Sequence, residues 1–261
     1  MHKRPLKDKK VFVLDMDGTF YLGDRLLEGS LEFLSAIRDR GMSFIFFTNN
    51  SSKTPGYYIK KLASMDCHID ERQIVTSGMV AISYLKRRFR APRVYLLGTP
   101  LLEEDFVNSG ITLTDCDPDA VVAGFDTTLT YEKLDKACAL IRKGIPFIAT
   151  HPDINCPVDN GLMPDCGAIC AFIITATGVR PEYLGKPSSE TLDFITQYTN
   201  TARSDLVFVG DRLETDIAIG FRHEVTTALV LTGVTRLKDL AGSEIKPDII
   251  ADRLVDLLGY L

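Results

Sequence analysis

The chain lacks the features that would tie it to nucleic acid, a lipid bilayer or a disulfide framework. Positive charge is not in excess: 30 Lys and Arg stand against 35 Asp and Glu, for a formal charge of -5 and a pI of about 5.4. General nucleic-acid binding needs clustered cations that displace counterions from phosphates, so it is excluded as the main role. A small anionic partner stays compatible, provided that positive charge is concentrated locally. Long apolar runs are missing too. The start, Met1 to Lys10, is basic, but only Val11 to Leu14 follow before Asp15, too short for a signal-peptide core or a membrane span. A soluble cytoplasmic protein without a membrane partner is expected. The six cysteines (Cys67, Cys116, Cys138, Cys156, Cys166 and Cys170) form no C-x-x-C pair, in a chain too large to need stapling, so reduced thiols are expected. His151, Cys156, Cys166 and Cys170 are zinc-ligand types within a short stretch, but their spacing matches no finger or ribbon, and ordinary packing is the expectation. Pro/Ser-rich linkers, repeats and low-complexity tracts are absent as well.

What is present is strand-helix alternation. With 261 residues, 45% of them hydrophobic, the chain is large enough for one big core or for a core domain carrying a smaller insert. Short apolar runs, each ending in a polar residue or glycine and followed by a helical pattern, read as buried parallel strands. They are Val11 to Asp15, Phe44 to Thr48, Val94 to Gly98, Val121 to Phe125, Phe147 to Thr150, Leu206 to Gly210 and Ala228 to Leu231. Between them, periodicity predicts helices through Leu31, Leu34, Ile37 and Arg38, through Leu134, Cys138 and Ile141, and through Leu192, Ile195 and Tyr198. The expected class is α/β with right-handed crossovers.

In open parallel sheets the chemistry gathers beyond the carboxyl ends of the strands. Three of those ends carry reactive residues: Asp15-Met-Asp17-Gly18-Thr19, Thr48-Asn49-Asn50-Ser51, and Gly210-Asp211 with Asp216 beyond. The ends at Gly98, Phe125 and Thr150 carry nothing comparable. Residues from about Met79 to Arg180 therefore read as a second α/β unit inserted into the first: 1–78 and 181–261 as the core, 79–180 as the insert.

Asp15 and Asp17 lie two apart at a strand end, so their side chains start on the same side before Gly18 permits a tight bend. Carboxylates held that close repel unless a cation or a shared proton intervenes, and magnesium, an oxygen-seeking ion, suits them. A strand-end Asp that caps a turn is the plain alternative. Thr48 offers a hydroxyl, and the amides around Asn49 and Asn50 suit an oxyanion, or else cap the helix expected near Pro55. Gly185-Lys186-Pro187 places a lysine before a helix opening at Ser188 or Ser189; it is no P-loop, because Pro187 occupies the Ser/Thr position. Asp211 ends a strand of the same type as the one bearing Asp15. Asp216, in the first turn of an amphipathic pattern (Ile217, Ile219, Phe221), suits a helix dipole.

The order D-x-D-G-T, T-N-N-S, G-K-P and G-D-x-x-x-T-D resembles the four motifs of the haloacid dehalogenase (HAD) phosphatase superfamily. More narrowly it is similar to the NagD-like, p-nitrophenyl-phosphatase-like branch, whose inserted C2-type cap lies between the second and third motifs. Thr150 to Pro157 and Met163 to Ala168 resemble that cap. The resemblance implies a Rossmann-like parallel-sheet HAD core with a smaller inserted α/β cap domain, and Mg2+-dependent hydrolysis of a small phosphomonoester. Asp15 would be the nucleophile and Asp17 the acid and base. Thr48, Asn49 and Lys186 would bind the phosphoryl group. Asp15, the Asp17 main-chain carbonyl and Asp211 would hold the metal, supported by Asp216. Asp17 disfavours a dehalogenase or phosphonatase, which needs no acid for an alkoxide; a phosphotransferase or mutase and a non-catalytic sensor stay as alternatives. A homodimer is compatible. Phe20 and Tyr21 would line the entrance or simply pack, and Asp153, Asn155, Asp165 and Cys166 lie on the stretch expected to face the leaving group.

Overall fold

The computed structural model describes residues 6–158 and 161–261; part of the basic start, residues 1–5, lies outside them. The chain divides into two compact units, one of Met1–Thr48, Tyr58–Val75 and Lys186–Leu261, the other of Asn49–Tyr57 and Thr76–Gly185.

The first unit is built on a six-stranded sheet in the order Ile249–Ala251, Thr226–Val230, Leu206–Gly210, Val11–Leu14, Ser43–Thr48, Ile74–Thr76. Val11–Leu14 runs parallel to both its neighbours, with Leu14 level with Val209 on one side and Phe46 on the other. All four of its residues are buried, which is why the run is continuously apolar rather than alternating. The helix Ser30–Asp39 buries Phe33, Leu34 and Ile37, and Phe33 meets Phe12 edge-on at 5.4 Å. Leu31, expected on that stripe, is 41% exposed; Ser30 and Phe33 are buried in that turn instead. The sheet's outer strands, Ile74–Thr76 and Ile249–Ala251, have three residues each, too short for a periodic signal.

The second unit has its own parallel sheet, in the order Glu182–Tyr183, Phe147–Ala149, Ala120–Ala123, Arg93–Leu97, Thr112–Leu113. Its separate core joins Val121, Ala123, Leu134, Cys138, Ile141, Cys166 and Cys170 with their neighbours. Leu134, Cys138 and Ile141 are the buried face of the helix Tyr131–Arg142. An antiparallel pair, Asn155–Val158 with Gly161–Pro164, precedes the helix Cys166–Thr177. All six cysteines are free. Among the described residues no helix is long and apolar enough to cross a membrane.

Candidate active site

At the carboxyl end of the first unit's sheet, Asp15 leaves the central strand with its N–H donating to Val209 O at 2.8 Å. The chain then closes a tight loop, the Gly18 N–H donating to Tyr21 O at 2.8 Å. Gly18 has φ +84°, and a side chain there would meet the Asp211 carboxylate at 2.8 Å; the position suits glycine on both counts. A β-carbon on Gly210 would collide with the Asp216 carboxylate. Two sequence-distant acids thus approach Asp15 because glycine backbone clears their way.

Lys186 bridges Asp15 and Asp216. Its Nζ donates to Asp15 Oδ1 at 2.7 Å, to Asp216 Oδ1 at 2.6 Å and to Phe47 O at 3.2 Å. The lysine is 2% exposed; desolvation opposes its charge, but Asp15 and Asp216 outweigh that and hold it protonated. Asp216 is better fixed than a helix-dipole residue would be. It sits in the π-helical turn Leu213–Ile217 ahead of the helix Ala218–His223, and its Oδ2 accepts from the Arg212 N–H at 3.1 Å. That wide turn interrupts the expected helix and leaves Phe221 half exposed.

Asp211 is 1% exposed. Its Oδ2 accepts from the Val234 N–H at 2.6 Å, while its Oδ1 is buried with no hydrogen-bond partner among the described residues. Burial, and then repulsion by Asp216, raises its pKa to about 6. Asp15 is likewise pushed up by burial and by the two other carboxylates, against the pull of Lys186. One oxygen from each of Asp15, Asp211 and Asp216 lies within 4.8 Å of the others. Two buried carboxylates and the part-buried Asp15, two of the three on one ammonium and one with an oxygen left unsatisfied, are a donor set that a hard divalent cation fits.

Asp17 stands apart from that group. Its Oδ2 accepts from the Tyr21 hydroxyl at 3.2 Å. Burial raises its pKa, opposed by Lys61, the Tyr21 hydroxyl and Arg212. Phe20 and Tyr21 are fully buried: Phe20 meets Phe46 at 4.7 Å, so packing, not an entrance, is their setting. Thr48, buried, ends the strand beside Asp15's. Lys61, on the helix Pro55–Ala63, was not singled out from sequence. Spacing shows only that Lys61 lies one turn beyond Tyr58 on the same helix; its partner, the Tyr21 ring, is not legible from it.

Asn49 belongs to the second unit. Its amide donates to the Asp153 carboxylate at 3.2 Å, and its carbonyl accepts from Ser77 Oγ. Thr54, through the Tyr57 N–H at 3.2 Å, caps the helix that Asn49 and Asn50 were candidates for. His151 is fully buried, with Nε2 2.8 Å from Asp165 Oδ1 and Nδ1 2.9 Å from Thr150 Oγ1. Asp165 also caps the helix Cys166–Thr177, and Cys166 Sγ lies 3.3 Å from Ala123 O. Both are buried structural residues, whereas Asn155 is exposed. His151, Asp153 and Asp165 also bring ligand atoms within 4.8 Å; among the described residues no such group includes a cysteine.

Comparison with known proteins identifies the family. A haloacid dehalogenase-like hydrolase model matches residues 12–112, and a second, HAD-hydrolase-like model matches residues 183–257. The 5'-nucleotidase YutF of Bacillus subtilis (strain 168) is 34% identical over 98% of this chain and 100% of its own. Among solved structures, the 4-nitrophenylphosphatase of Thermotoga maritima is 45% identical, with a TM-score of 0.94 over 97% of this chain and 98% of its own. NagD of E. coli is 31% identical, with a TM-score of 0.88 over 95% and 97%. The chain belongs to the haloacid dehalogenase-like hydrolase family. Within it, the chain falls in the NagD and p-nitrophenylphosphatase branch, as a phosphoric monoester hydrolase.

Proposed function

We propose that the protein hydrolyses a small phosphomonoester, a sugar phosphate, nucleotide or similar metabolite, through an aspartyl-phosphate on Asp15 with Mg2+ as cofactor. The observation that carries this reading is Lys186 Nζ fixed between Asp15 and Asp216, beside the unsatisfied Asp211 Oδ1. If all three acids ionise, Lys186 balances one charge and Arg212 attracts Asp211; a divalent cation on Asp15, Asp211 and the Asp17 main-chain carbonyl, with Asp216 in support, would offset what remains. Bound there, such an ion would draw charge from the phosphoryl oxygens and help to orient them. Lys186, the Thr48 hydroxyl and Asn49 take up the remaining phosphoryl charge. An Asp15 carboxylate oxygen attacks phosphorus; the ester P–O bond breaks, and Asp17 gives its proton to the departing alkoxide. Asp17 then takes a proton from water as the water oxygen attacks phosphorus, the bond to Asp15 breaks, and phosphate leaves. We assign the inserted unit, 79–180, the role of cap that selects the leaving group and excludes water in the first step.

Hydrolysis in isotopically labelled water tests the route: one solvent oxygen should enter each released phosphate. Phosphate appearing on an added sugar hydroxyl instead would make the protein a phosphotransferase. Asp15→Asn should abolish turnover of p-nitrophenyl phosphate, and turnover that survives would remove Asp15 as nucleophile.

A further inference from the structure

Asp17 is held by a second arrangement that the four motifs do not contain. The loop that carries it folds back on itself, with Asp17 and Tyr21 bridged through their backbones, so the Tyr21 side chain lies beside the Asp17 carboxyl. Among the described residues, Tyr21 is the one side chain that hydrogen-bonds Asp17, its hydroxyl donating to Oδ2 at 3.2 Å. The Tyr21 ring is fully buried, and the phenol stays protonated because burial, and then the neighbouring Asp17, disfavour its anion. Over that ring lies Lys61 Nζ, 4.3 Å from the centroid. The Lys61 side chain is 18% exposed and its carboxylate neighbour, Asp24, stands off at 3.8 Å and is 95% exposed. An ion pair so loose and wet holds the lysine weakly. The ring face is a further anchor for its charge, and the nearby Asp17 carboxyl attracts it as well.

We propose that Tyr21 and Lys61 form a positioning pair for Asp17, which reserves Oδ2 for the phenol and leaves Oδ1 as the oxygen that carries and exchanges the proton. A carboxyl that accepts an O–H on one oxygen keeps its own proton on the other, because the accepting oxygen faces a donor. Fixing that choice places the proton donor in one orientation toward the leaving oxygen, where a rotating carboxyl would offer it only part of the time. Lys61 restrains the ring through its face, and its charge strengthens the phenol as a donor. Neither residue touches substrate in this assignment; both act through Asp17. The inference rests on the proposed role of Asp17 as acid and base.

The test is kcat/KM, which reports the steps up to phosphoryl transfer onto Asp15, for two monoesters in the full-length protein with magnesium. A nitrophenolate leaves with little help from an acid, whereas an alkoxide such as that of glycerol 1-phosphate needs the proton. Asp17→Asn calibrates the reading and should depress the alkyl ester at least ~10²-fold more than the aryl ester. Tyr21→Phe, which keeps the buried ring, should depress the alkyl ester at least ~10-fold more than the aryl one. Lys61→Met should act in the same direction, and Lys61→Arg should restore most of the loss, since a guanidinium also rests on an aromatic face. Equal losses on both esters for Tyr21→Phe and Lys61→Met, as a merely structural role would give, overturn the proposal, as does wild-type behaviour. If Asp17→Asn itself shows no leaving-group discrimination, the acid role fails and the proposal falls with it. Should Tyr21→Phe not fold, Lys61→Met and Lys61→Arg carry the same comparison at the edge of the core.

Discussion

At the scale of single residues, the site is governed by charge that has been taken out of water. Lys186 is the buried cation bonded to both Asp15 and Asp216. Lys186→Ala should therefore weaken phosphate binding and turnover together, with kcat/KM falling on the order of 10²-fold or more, as loss of a preorganised charge contact does. Steady-state kinetics with p-nitrophenyl phosphate checks this, and wild-type values would dissociate Lys186 from the phosphoryl group. Asp211 yields a prediction about metal and pH. Its pKa is raised to about 6 by burial and by Asp216. In the metal-free protein a raised carboxyl favours the folded state at low pH, and that stabilisation is lost as pH climbs from about 4 through about 6. A cation on the carboxylate removes this penalty, so the rise in Tm on adding magnesium should be smaller at pH 5, where protons compete for Asp211, and grow through pH 6 to a plateau. At 100-fold excess over Kd the gain is about 2.7 kcal/mol. A magnesium effect on Tm that is flat from pH 5 to 8 would contradict Asp211 as a ligand.

At the scale of elements, His151 and Asp165 hold the start of the helix Cys166–Thr177. Burial works against the His151 charge, but the Asp165 carboxylate at 2.8 Å prevails and brings its pKa up to about 9. This raised histidine contributes stability that is complete below about 6.5, its unfolded value, and is lost as pH rises through 9. The imidazole resonances of His151 should titrate with a midpoint near 9, and in Asp165→Asn the midpoint should fall; a midpoint near 6.5 in the unaltered protein would refute the pairing. Elements of this kind differ in how far the sequence reveals them. The central strands are legible because burial on both faces demands unbroken apolar runs, as in Val11–Leu14 and Leu206–Gly210. The strand-end carboxylates are legible because they interrupt those runs. Edge strands of two or three residues leave no period to read, and the π-helical turn at Leu213–Ile217 arises from Asp216 bonding the Arg212 amide and Lys186, partners that sequence spacing does not reveal. The same reason hid Lys61: its meaning depends on the Tyr21 ring, 40 positions upstream, over which it lies.

At the scale of the whole molecule, each unit has its own apolar core, one gathered around Phe12, Phe33 and Phe46 and the other around Val121, Ile141 and Cys170. Two cores give two cooperative units, each with its own stability. Calorimetry should resolve a transition that magnesium raises, belonging to the unit with Asp15 and Asp211, and a second that it leaves in place. Val121→Ala should lower the second, because truncating a buried aliphatic side chain costs about 0.5–3 kcal/mol. A single transition, shifted alike by magnesium and by Val121→Ala, would show that the units unfold as one.

The strand order also sets a timetable for synthesis. Val11–Leu14 is the first of the sheet's strands to leave the ribosome, yet it pairs with Leu206–Gly210, roughly 190 residues later. At ~5–20 residues per second, one side of that apolar strand waits on the order of 10–40 s for its partner, while the intervening 110 or so residues from Thr76 to Gly185 emerge with a core of their own. An open edge of this kind is what chaperones cover and aggregates exploit, so the nascent chain is most vulnerable between the completion of its middle and the arrival of its last quarter.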